Sequence, residues 1–233
     1  LTISARNVNG GIGGIYANNL GTGITSVTAS DFGQVTATSS FSTGITARNS
    51  AAATGDMTVS AGNVTGDSNG IYARNDGSGA LSVTASSFGQ VTGTNSTGIR
   101  ANNGVAGADI TVSAGNVTGA YTAMSVFNSG TGATSVTVAG QATGSVFGSS
   151  GSNSTGDVTI LAAGVTSASS GVSASTSGTG SVNLTSTGPV TAGTTNSTGI
   201  FASGVNGNVT VSAADVTSGG NGVFARTFGT GSV

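Results

Sequence analysis

Short segments of the chain alternate apolar and hydroxylic side chains. In Leu1-Thr2-Ile3-Ser4-Ala5, Met57-Thr58-Val59-Ser60-Ala61, Ile110-Thr111-Val112-Ser113-Ala114 and Val209-Thr210-Val211-Ser212-Ala213 the odd members are apolar and the even ones carry hydroxyls. A period of two belongs to a strand with one buried face, so these segments are predicted as half-buried strands. The expectation is that Ile3, Val59, Val112 and Val211 are buried and stacked, with Thr58 and Ser60 exposed. A second pattern, as in Ile15 and Ala17, Ile71 and Ala73, Ile200 and Ala202, sets a large inward residue two places before a small one. Such a pattern suits three walls closing on a narrow axis.

These patterns recur in three columns. The first runs through Ile3, Val27, Val59, Val83, Val112, Val136, Ile160, Val182 and Val211, with a further copy starting at Val233. The second, in NVTG or QVTG phrases, holds Val8, Val35, Val64, Val91, Val117, Ala142, Val165, Val190 and Val216. The third holds Ile15, Ile45, Ile71, Ile99, Met124, Val146, Val172, Ile200 and Val223. One coil of three strands cannot bury its own apolar edge, whereas stacked coils make a continuous core. The predicted fold is therefore all-β: a right-handed parallel β-helix, or β-solenoid, of about nine three-strand coils of about 24 residues, roughly 43 Å long. Residues 1–233 form a single segment, and both ends look cut from a longer repeat protein. The coil from Val136 to Asp157 fits worst, because its third strand must start four residues after Ala142. Corners such as Gly10-Gly11, Asp76-Gly77 and Asn221-Gly222 are expected to supply positive φ.

Composition removes several alternatives. Disorder is unattractive for a chain so rich in regularly placed Val, Ile and Thr. No apolar run approaches the length of a membrane helix, and strands of about five residues without aromatic girdles are too short for a membrane barrel. This segment is not expected to insert into a membrane. With five Arg, no Lys and seven Asp, the sequence shows no basic patch for phosphates, so nucleic acid is not an expected partner.

Catalysis lacks its usual side chains. Without His, Cys, Lys or Glu there is no triad, thiolate, zinc cluster or Schiff base, so no enzyme, cofactor or metal site is expected. Asp56, Asp109 and Asp157, with Asn208, repeat just before first-column strands, about 10 Å apart along the axis, too far to share one ion. A turn role is the simpler expectation. GGIGGIYA at 10–17 lacks the Asp of a calcium nonapeptide and opens no helix for a dinucleotide.

The outward residues remain. First-column strands present Thr/Ser pairs, including Thr58 and Ser60, Ser82 and Thr84, Thr111 and Ser113, broken at Leu161 and Asn183. Amides precede the second column at Asn7, Gln34, Asn63, Gln90, Asn116 and Gln141, where coil-to-coil amide ladders are expected. Arg48 and Arg74 share a column, with Arg226 further on, in the TARN, YARN and FART segments, and the aromatic residues Tyr16, Tyr72, Phe201 and Phe224 occupy the position before that column. The candidate binding residues are Thr58, Ser60, Ser82, Thr84, Thr111, Ser113, Arg48 and Arg74.

The SAGNVTG (60–66, 113–119), GIYARN (70–75) and GSGALSVTAS (77–86) phrases resemble the passenger repeats of bacterial autotransporter adhesins. They are less closely similar to the filamentous haemagglutinins of two-partner secretion. The resemblance implies a secreted, cell-surface rod that mediates adhesion or self-association, with host or neighbouring-cell surfaces, glycans among them, as partners. The absence of Cys fits export in an unfolded state. The alternative expectation is an ice-binding or glycan-binding solenoid that uses its Thr/Ser face.

Overall fold

In the computed structural model, residues 1–233 are described except Phe32, residues 151–154 and Thr194; for Ser149 and Ser150 only the backbone is described. Among the described residues there is no helix, and the paired strands are parallel. The chain is a β-solenoid whose coils each visit three faces: A, then B (from Val8–Gly10, Gln34–Ala37, Asn63–Gly66 and Gln90–Gly93 onward) and C (from Gly13–Asn19, Thr43–Asn49, Asn69–Asn75 and Thr97–Asn103 onward). Face A begins with Thr2–Ala5, Thr25–Ala29, Met57–Ala61, Leu81–Ala85 and Ile110–Ala114; it continues through 134–138, 158–162, Val182–Ser186 and Val209–Ala213. Those nine strands are separated by eight steps, hence about eight turns and, at ~4.8 Å per step, about 38 Å of axis.

All nine members of the second and third predicted columns stack as expected, for example Val8 on Val35 and Ile71 on Ile99. The first column contains one error. Ile160 pairs with Leu184, and Leu184 with Val211, while Val182 pairs with Val158 and Val209. The central residue of that coil is therefore Leu184, and its outward pair is Asn183 and Thr185. A slip of two residues leaves every side chain on its correct face, so alternation is blind to it. Val59 and Val112 are fully buried, but Ile3 and Val211 are half-buried because their coils have a neighbour on one side only. Thr58 is exposed, whereas Ser60 is half-buried between its hydroxylic neighbours.

The core is a set of stacked like residues. Inside face C, Ile45, Ile71, Ile99 and Met124 lie beside the smaller Ala47, Ala73, Ala101 and Val126, all essentially inaccessible to solvent. Just before Ile45, Ile71 and Ile99 stand Gly44, Gly70 and Gly98, with Ala123 before Met124. A Cβ at Gly70 would meet Val91 Cγ1 at 2.5 Å and the Gly98 carbonyl oxygen at 2.8 Å, both in the next coil. At Gly44, Gly70 and Gly98 faces B and C come this close because no side chain stands between them.

Close approach also explains the corner glycine Gly77, whereas Gly11 and Gly222 stand in open or ordinary surroundings, and the expectation about backbone angle is corrected. Among the described residues positive φ occurs at Phe41, Asn196 and Gly144, and not at Gly10, Gly11, Gly77 or Gly222. A Cβ at Gly77 would lie 2.0 Å from the Ala53 carbonyl oxygen of the preceding coil, so close approach between coils demands the glycine. Gly144 is the true conformational case, with φ 106°. It stands in the short link between Ala142 and Val146, where Val117 pairs with Ala142 and Met124 with Val146 across a register shift. That irregularity is how the awkward coil reaches its third face in four residues.

Inside face C lies a feature the sequence reading missed: Asn19, Asn49, Asn75, Asn103 and Asn128 stack as a buried ladder. Asn75 donates to Asn103 Oδ1 (3.2 Å) and to the Gly79 carbonyl (2.7 Å), and accepts from Asn49 Nδ2 and the Gly77 N–H (both 3.2 Å). The amides link coils, and those of Asn19, Asn75, Asn103 and Asn128 also close the turn that follows their own strand, satisfying groups that burial would otherwise penalise. The outer amides behave differently from expectation. Asn63 Oδ1 accepts the Gln90 main-chain N–H (3.1 Å) and Asn116 Oδ1 that of Gln141 (2.9 Å), so they bridge coils through the backbone and not through paired amides.

Candidate functional site

Three outer surfaces could carry function, and each follows from the stacking. On face A, Thr58, Ser82 and Thr111 form one outward column, and Ser60, Thr84 and Ser113 its neighbour. The six residues are brought together as predicted. The array loses its uniformity further along, where Thr159 and Leu161 are followed by Asn183 and Thr185. Nothing charged stands within it.

The repeated acidic position lies at the corner between faces C and A. Asp56, Asp109 and Asp157 each accept the main-chain N–H one coil further on, from Ala80, Ala133 and Ser181, at 2.8 Å. Asn208 does the same for Ser232 at 3.0 Å. Asparagine can replace aspartate because the bond needs an acceptor and no charge. No cluster of acidic side chains suited to a metal ion occurs among the described residues.

Face C is chemically distinct. Its outward columns read Tyr16, Thr46, Tyr72, Arg100, Ser125, Phe147 and, two residues along, Asn18, Arg48, Arg74, Asn102, Phe127. Arg48 and Arg74 are adjacent in one column, as predicted, and Arg226 continues that column beside Ser203. The aromatic residues stand two places before the arginines and so share their outward face. Arg100, Phe127 and Phe147 were missed, although their spacing from Ile99, Met124 and Val146 assigns them to these same columns.

The side chains interlock. The Tyr72 ring lies between two guanidinium groups, Arg48 at 5.2 Å and Arg100 at 5.9 Å from its centroid. Arg74 Nε lies 2.8 Å from Asp76 Oδ2, and this hydrogen-bonded pairing raises the Arg74 pKa. Beside them an open groove of about 460 Å³ is bounded by Arg74 with its partner Asp76, Arg100 and Asn102 at one end and by Phe127 and Phe147 at the other. A second cluster sits in the last two coils, where Phe201 and Phe224 stack at 5.7 Å and Arg226 lies over Phe201, Phe224 and Phe228.

Folding therefore creates a basic patch that the linear sequence hides. Arg48, Arg74 and Arg100 are 26 residues apart along the chain, yet they occupy three successive rungs about 4.8 Å apart. Among the described residues the strand arginines all lie on face C, and no Asp lies within a strand. A chain of formal charge -2 thus carries one locally positive face. No protein-family model, curated protein or solved structure matches the chain.

Proposed function

We propose that this chain is a non-catalytic, adhesive rod of a secreted or cell-surface protein, and that face C is its binding surface. The observation that carries the reading is the outward surface of face C, where arginines and aromatic rings stand in register with hydrogen-bonding Asn, Thr and Ser. Exposed aromatic and Arg side chains are the types most enriched where proteins meet partners. A solenoid suits the role because it presents the same kind of surface repeatedly at one spacing. The resemblance of the repeat phrases to autotransporter passengers supports a place outside the cell, on a bacterial surface.

Beads coated with the 233-residue chain test this. Attachment to cells, or clustering of the beads with one another, is expected above that of beads coated with an unrelated protein. Equal attachment and no clustering would overturn the proposal.

The second reading assigns function to the hydroxyl columns of face A, as an ice-binding or neutral-glycan surface. Its support is the alignment of Thr58, Ser82 and Thr111 with Ser60, Thr84 and Ser113. Inhibition of ice recrystallisation by the wild-type chain, lost on replacing those Thr and Ser residues by Ala, would favour it.

A further inference from the structure

Granting that face C is adhesive, we infer that its outward surface, from Arg48 one coil before the groove through the groove itself to Phe147, binds an acidic polysaccharide in which a carboxylate-bearing sugar alternates with a neutral one. Arg74 is engaged by Asp76 at 2.8 Å, whereas Arg48 and Arg100 are held over Tyr72. Stacking on a ring occupies the flat side of a guanidinium and leaves its edge N–H groups free, and those groups match a carboxylate in bidentate fashion. Tyr72 thus orients two anion-binding forks without neutralising either.

Spacing supplies the second step. Arg48 and Arg100 belong to coils two rungs apart, about 9.6 Å along the axis, and stand in neighbouring outward columns, so the line joining them runs obliquely across the face; with both guanidinium groups over Tyr72 they are no more than about 11 Å apart. One rung is close to the length that one pyranose ring adds to an extended sugar chain. Two cationic forks separated by two rungs therefore correspond to one carboxylate on every second sugar. Two available forks are too few for nucleic acid, whose phosphates fall far more densely and whose tight binding draws on many cations.

The rest of the groove fits the neutral unit. Phe127 and Phe147 offer apolar ring faces against which the C–H side of a sugar packs, and Asn102 and Ser125 provide hydrogen-bonding groups at the level of its hydroxyls. The groove volume of about 460 Å³ accommodates a short stretch of sugar rings. It lies open to solvent, as binding along a polymer requires, with no need for a chain end.

The test is binding of the 233-residue chain to immobilised polymers: hyaluronan (a carboxylate on alternate sugars), dextran (neutral) and heparin (densely sulfated). Hyaluronan is expected to bind at least about tenfold more tightly than dextran, to outcompete heparin at matched sugar concentration, and to weaken towards ~0.5 M salt. Arg48→Gln and Arg100→Gln should each weaken hyaluronan binding about tenfold, and Phe127→Ser by less. Arg100→Lys, which keeps the charge but removes the fork, should also weaken it. Thr58→Ala and Thr84→Ala, on face A, should leave it unchanged. Equal binding to hyaluronan and dextran, preference for heparin, or indifference to both Gln substitutions would overturn the inference. Circular dichroism of each variant confirms that the fold is retained. If the beads still attach to cells while hyaluronan is ignored, the adhesive reading stands and only the ligand class falls.

Discussion

Faces A and C are built alike inside and differ outside. Both stack a large apolar column in parallel register, Val59 on Val83 on Val112 in one and Ile45 on Ile71 on Ile99 in the other. Outside, face A repeats Thr and Ser with no charge, while face C alternates aromatic, Arg and Asn residues. The comparison teaches that stacking decides which residues are displayed together, and the side chains left outward decide what the display can do. Hydroxyl columns satisfy strand propensity and cross-strand contact with nothing left over. An arginine held against Tyr72 has donors that no neighbour uses up.

The strongest way to break the comparison is to damage the shared interior. Val112 is fully buried between Val83 and Val136, so Val112→Asp places an unpaired carboxylate on the axis at a cost of at least about 4 kcal/mol. Hydrogen exchange read by mass spectrometry should show protection lost around 81–138 on both faces and retained in the distant coils, because stability in a solenoid is nearly a sum over neighbours. Uniform loss from Leu1 to Val233 would contradict that. Next in size is Asn75→Ala, which leaves Asn49, Asn103 and two turn groups without their amide partner at roughly 3 kcal/mol. Its loss of protection should centre on face C and the turn after it, and spare face B.

Gly70→Ala should cost about 1–3 kcal/mol, because the new methyl group must displace Val91 and a main-chain carbonyl. Slower hydrogen exchange in the Gly66–Asn75 segment of that variant would show the contact to be unimportant. The smallest effect runs the other way. The buried Thr134 hydroxyl has no hydrogen-bond partner, between Ile110 and Val158 on the inside of face A, so Thr134→Val should stabilise its coil by about 1 kcal/mol. Faster exchange at residues 110–138 would oppose this.

Much of this architecture could be read from residue order alone, and the exceptions have physical causes. Period-two alternation assigns faces, and the recurrence of VTVSA, NVTG and GIYA assigns coils, so Val64 and Ile71 were placed without a structure. Val182 was misassigned because a two-residue slip changes the rung and preserves the face. The buried asparagine ladder was missed because Asn reads as a turn residue, although Asn75 stands four places after Ile71 and must share its inward side. Arg100 escaped notice for another reason. It follows Ile99 as Tyr72 follows Ile71, and a column is recognised more readily when its members look alike than when an arginine succeeds an aromatic ring. The face-A residues from Thr58 to Ser113 are legible together in the sequence because they are so similar.

The claim that face C and not face A makes the adhesive surface can be tested with two variants of equal design. In one, Arg48, Tyr72, Arg74 and Arg100 become Ser; in the other, Thr58, Ser60, Ser82, Thr84, Thr111 and Ser113 become Ala. All of these side chains point outward, so both chains should keep their hydrogen-exchange protection. Bead attachment to cells is then the deciding measurement. The account predicts attachment abolished in the face-C variant and unchanged in the face-A variant; loss confined to the face-A variant would contradict it.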